Sequence, residues 1–142
     1  MINSVNVNEQ TVAVNANVLF DADRVRTKAC YCGGWLQHDV GSGTFEIVRP
    51  GIYKVDFNAN VTAAAAGDTT LAIQNNGVTI GGTEMDTNVA TAGDYENVSA
   101  STLVVVQPYG SRTISVANIS AAAVTVDDAN IIITRKIGRA HV

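Results

Sequence analysis

Reactive chemistry in this 142-residue sequence would have to come from a small set of side chains: Cys30 and Cys32, two residues apart, His38, the adjacent Asp127 and Asp128, and His141 near the C-terminus. Two thiolates are half of what a structural zinc site takes. Residues two apart on a strand share a face but are poorly placed for a disulfide, so both cysteines read as buried thiols. Nothing near His38 forms a recognisable triad pattern, and it reads as a surface residue at a strand end. Asp127 and Asp128 on one strand point to opposite sides, which suits solvated carboxylates better than a shared metal ion. No catalytic set, resident metal or cofactor is expected. Asn60, Asn97 and Asn118 begin N-x-S/T sequons, which matter only in a eukaryotic secretory route and are disregarded.

The elements that would position any site are strands. In residues 51–63, GIYKVDFNANVTA, the apolar Tyr53, Val55, Phe57, Ala59 and Val61 alternate with Lys54, Asp56, Asn58 and Asn60. A pleated strand puts the first set on one face and the second on the other, whereas helical spacing would scatter both. Pro50-Gly51 marks the turn before it. Slipping the register by one residue would expose Phe57 and Tyr53, forfeiting roughly 1.5 to 3 kcal/mol per large side chain, so this strand fixes its neighbours.

With 46% hydrophobic residues the chain has enough apolar surface for one domain with a real core. A net charge of −4, without a run of Lys or Arg, argues against a nucleic-acid partner. Residues 1–10 are polar and lack a basic start followed by an apolar run, so neither a signal peptide nor membrane insertion is expected. Small and β-branched residues dominate, which points to an all-β domain.

Along the chain, residues 1–10 read as an N-terminal arm, loose or docking. The head domain spans 11–136. Within it, 11–20 reads as a first strand with Val12, Val14, Ala16 and Val18 on one face, and the charged 21–28 as a loop. Gly33-Gly34 forms a bend, Trp35 and Leu36 are core pieces, 41–43 is a turn, and 44–48 leads into the central strand. Four alanines in 63–66 lack the length and stripe of a helix. Residues 69–74 and 78–80 form a hairpin about Asn75-Asn76-Gly77. Residues 81–94 are the longest irregular stretch and, with 21–28, the best candidate for a variable binding loop. Strands follow at 95–107, 112–120 and 123–136. Their spacing of roughly 8 to 12 residues suits a sandwich or barrel. The last six residues, IGRAHV at 137–142, are what a common short-read sequencing adapter gives in one reading frame. They are set aside as an assembly scar, which points to a metagenomic source and removes His141 from consideration.

Some strands are apolar on both faces. Val104 and Val106 oppose Leu103 and Val105, and Ile131 and Ile133 oppose Ile132, so the second face needs a cover: another subunit, or a loop of the same chain. GxYxVxFxA at 51–59, LAIQNNG at 71–77, GGTEM at 81–85, YENVSASTLVVVQPYG at 95–110 and DDANIIITRK at 127–136 follow in an order and spacing that resembles the globular heads related to tumour necrosis factor (TNF) and complement. The version resembled is the one carried by gut Firmicutes, their phages and the collagen-like surface proteins of spores. The resemblance implies an antiparallel jelly-roll β-sandwich of about ten strands, assembled as a homotrimer about a threefold axis. It implies a subunit core of Tyr53, Val55, Phe57, Val104, Val106, Ile131 and Ile133. It puts Leu103, Val105 and Ile132 at the trimer interface, with Lys54 and Asp56 near the axis. The best-known members place bulky apolar or aromatic groups there, so a ring of Lys54 and Asp56 either pairs across subunits or encloses water. Complement-type heads sometimes bind calcium, which is the case for Asp127 and Asp128 as ligands.

The function implied is a non-enzymatic phage virion structural protein, the head of a fibre, baseplate or capsid decoration, contributing to host attachment. Its partners would be a bacterial surface glycan or protein receptor and other virion proteins. The alternative is a bacterial or spore-surface adhesion domain of the same fold. An enzyme such as a glycan depolymerase would need a pair of carboxylates facing one cleft.

Overall fold

Strand β6 (Gly51–Thr62) keeps its period-two pattern over its whole length: Tyr53, Val55, Phe57, Ala59 and Val61 are buried, while Lys54, Asp56, Asn58 and Asn60 face outward. A computed structural model describes residues 1–27 and 34–137. In it β6 lies between β10 (Glu96–Val106) and β12 (Val124–Ile137), with Tyr53 opposite Val104, and Val55 opposite Ile133. The sheet continues from β12 through β1 (Ile2–Asn6) to β3 (Ala22–Arg26), and β2 (Gln10–Val12) pairs with the beginning of β12. A second sheet runs β4 (Leu36–Gln37), β5 (Phe45–Ile47), β11 (Arg112–Asn118), β7 (Gly67–Asn75), β8 (Val78–Thr79), with β9 (Met85–Val89) on the far end of β7. Every pairing is antiparallel, and the described residues contain no helix, hence none able to cross a membrane. This is the expected jelly-roll sandwich, with twelve strands among the described residues rather than about ten, because short segments join the sheets.

Facing side chains of the two sheets make the core. Phe20 meets Phe45 and Phe57 edge-on, at centroid distances of 5.4 and 6.3 Å. Trp35 packs on Tyr53 at 5.1 Å, and the Tyr53 hydroxyl donates to the Arg49 carbonyl at 2.8 Å. Edge-to-face pairs of this kind add about 0.5 to 1.5 kcal/mol beyond area burial. Val104, Val106, Ile131 and Ile133 fill the space beside them.

Residues 1–10, read as an arm either loose or docking, dock through 2–6: Ile2, Ser4 and Asn6 are buried, and β1 pairs on both sides, with β12 and with β3. Several segments differ from their sequence reading. Residues 11–20 are not one strand. After β2 pairs with β12, Asn15 turns the chain at φ +64°, and the Asn15 and Val18 amides donate to the Asn118 and Val116 carbonyls in the other sheet. Val12 and Val18 therefore reach the core from different sheets, and Val14 is 44% exposed. The charged 21–28 holds an edge strand, β3, where charged side chains discourage further pairing. The irregular 81–94 contains β9, anchored by Met85 and Val89. At the hairpin the turn residues are Asn76 and Gly77, both at positive φ, as a two-residue turn requires.

Candidate functional site

The outer face of the β6 sheet is built by parity. Outward residues of β6 are Ile52, Lys54, Asp56, Asn58 and Asn60; on β10, Val105 stands opposite Ile52, Leu103 opposite Lys54 and Ser101 opposite Asp56. On β12, Ile132 stands opposite Asp56 and Thr134 opposite Lys54. Leu103 is 60% exposed, and Val105, Ile132 and Ile52 are half-buried. These residues lie on the open side of the sheet, on strands whose other face carries the core. Ile52 belongs to the same strip and was not among the sequence candidates, although its parity with Lys54 would have found it.

Lys54 Nζ lies 3.7 Å from Asp56 Oδ1 on the same strand, with both side chains more than a third exposed. A pair so placed contributes about 0 to 1 kcal/mol, so its two charges stay available to other partners. Farther along, the face turns to amides. Asn97 donates to Asn60 Oδ1 at 3.1 Å and to the Ala59 carbonyl at 3.2 Å, and Asn3 donates to Asn130 Oδ1 at 2.5 Å and the Ile131 carbonyl at 3.0 Å. The sheet thus presents an apolar strip, a charged pair and a hydrogen-bonded asparagine row.

A second constellation has triad residue types but not triad wiring. His38 is not at the surface: its side chain is 0% exposed and its ring stacks on Phe45 at 4.1 Å. Nδ1 lies 2.9 Å from Asp23 Oδ1 and Nε2 lies 3.1 Å from the Ser42 carbonyl. Ser4 donates its hydroxyl to Asp23 rather than to the imidazole. Arg26 holds the other Asp23 oxygen at 3.3 Å and the His38 and Leu36 carbonyls at 3.1 and 3.3 Å. A nucleophile would need its oxygen on a free imidazole nitrogen, and here both nitrogens are engaged elsewhere. The cluster clamps β1 and β3 to the segment after β4.

Asp127 is half-buried and Asp128 exposed, at a bulge where Asp128 takes φ +52°. Among the described residues no three His, Cys, Asp or Glu side chains converge as metal ligands do. Asn118 is fully buried, donating to the Val12 and Ala122 carbonyls and accepting from the Ser120 amide, so its sequon is structural. Cys30, Cys32 and His141 lie outside the described residues.

A third feature lies on the outer side of the second sheet. There a groove of about 670 Å³ crosses β11, lined by polar uncharged side chains including Asn17, Thr44, Gln74, Thr113 and Ser115.

No protein-family model matches the sequence, and no curated protein matches it. Solved structures do. The globular domain of a zebrafish complement 1qA protein superposes with a TM-score of 0.65 at 13% identity, covering 95% of this chain and 98% of that one. The Eiger TNF of S. frugiperda gives 0.70 at 10% identity, over 99% and 95%. The PRD1 vertex protein P5 gives 0.51 at 14% identity, over 94% of each. The chain has the jelly-roll fold of TNF and complement heads, with this sequence resemblance too low to carry more than the fold.

Proposed function

We propose that the chain is a non-enzymatic, homotrimeric head that serves as a virion component, at the tip of a fibre, baseplate or capsid decoration, and contributes to attachment to a bacterial surface. The observation that carries the assembly is the outward-facing apolar strip of Leu103, Val105, Ile132 and Ile52 on the outer face of the β6 sheet. A sheet that packs its core on one side and keeps such a strip on the other is suited to bury it against further copies. About a threefold axis, Lys54 of one subunit would meet Asp56 of the next, replacing the weak pair within one strand. The likeness to the PRD1 vertex protein favours the virion over the spore surface.

Light scattering on the purified chain at micromolar concentration tests the assembly. Three times the 14.8 kDa chain mass is expected, and a monomer alone would overturn it.

A further inference from the structure

We infer that the groove on the outer side of the second sheet binds an uncharged saccharide, and so supplies the chemistry by which the proposed attachment, on which this inference rests, would read a surface. β11 runs down the middle of the groove and contributes Thr113 and Ser115. Asn17 and Thr44 come from the segments on one side, and Gln74 and the Gly77 turn from the other. Its volume of about 670 Å³ lies within the roughly 300 to 1,000 Å³ of small-ligand sites.

The lining selects the ligand class. Ser115 is only 4% exposed and lines the groove from β11, beside Thr113. An apolar ligand would cover the lining hydroxyls and amides without offering them a hydrogen bond. An anion would call for Arg or Lys, and no lining side chain is charged. Amides and hydroxyls both donate and accept over short distances, and a sugar ring presents that same mixture around its rim.

The test is a backbone-amide NMR titration of the full chain with lactose, maltose, cellobiose and N,N′-diacetylchitobiose. Glucuronate and glycerol phosphate serve as anionic controls, and pelleting of the chain with Gram-positive cell walls is measured in parallel. The expected result is a saturable shift for at least one neutral sugar, centred on Asn76, Gly77 and Thr113. It should weaken at least fivefold in both Ser115→Val and Thr113→Val, with smaller responses to the anions. Thr113→Val preserves side-chain shape in a strand, so it guards against loss of fold in the first variant. Pelleting without any sugar shift at the groove, or with undiminished binding by both variants, would overturn the groove and leave the attachment reading standing. Absence of both sugar binding and pelleting would overturn both.

Discussion

At the scale of single residues, His38 has a role set by partners far along the chain. Asp23 comes from a strand before it and Phe45 from one after it; the fold brings both to the ring, and Ser4 of β1 donates to the same Asp23 carboxylate. Its sequence neighbours carry no such signal, which is why it read as a surface residue. His38→Ala should destabilise the chain by about 2 to 4 kcal/mol in urea unfolding, because it opens a cavity against Phe45 and strips a partner from the half-buried Asp23 carboxylate. Tyr53 gives a pH dependence. Burial pushes its phenol above the ordinary value of 10.0, partly offset by the Arg135 charge. The folded chain therefore holds this proton where the unfolded chain releases it. The associated stability is complete below the ordinary phenol value and is lost as pH rises through the folded one. The urea midpoint should begin to fall as pH rises past the ordinary phenol value of 10.0, and the fall should be smaller in Tyr53→Phe.

At the scale of elements, alternation was a faithful guide wherever a strand stays in one sheet. β6, β10 and β12 follow their apolar pattern with registers that keep Tyr53, Val55 and Phe57 inside. It misled at residues 11–20, where regular alternation straddles a crossing between sheets. The alternation is a property of the local pleat, but hydrogen-bond partners come from β12 before Asn15 and from β11 after it. β9 escaped notice because only Met85 and Val89 of its five residues are buried. The crossing segment also explains Gly43, where an added Cβ would come within 2.6 Å of the Val18 carbonyl oxygen and 2.8 Å of Asn17 Cβ. Gly43→Ala should cost about 1 to 3 kcal/mol, since the backbone must shift. Gly77→Ala, at φ +80° with open space around it, should cost about 1 kcal/mol by conformational strain alone. Thermal unfolding of the two variants separates the effects.

At the scale of the whole molecule, the sandwich has two outer faces of different character. One carries the apolar strip with Lys54 and Asp56, the other the uncharged polar groove, so the proposed assembly and the proposed recognition are testable independently. Val105→Asp or Ile132→Asp should reduce the mass by light scattering to that of a monomer while the β-type circular dichroism persists. Unchanged mass would remove those positions from the interface. The two-faced apolar pattern of β10 and β12 was legible because side chains alternate by a rule the local backbone sets. Which face meets the core, and that Leu103 stays 60% exposed on the other, required the packed sheets. The sequence by itself determined the all-β class, the central register and the amphipathic edges, since period-two alternation and turn residues act over a few neighbours. Only the tertiary structure decided the docking of residues 1–10, the buried His38 clamp and the polar groove across β11. Each is assembled from segments distant in sequence, and their meeting depends on how two sheets close over a common core.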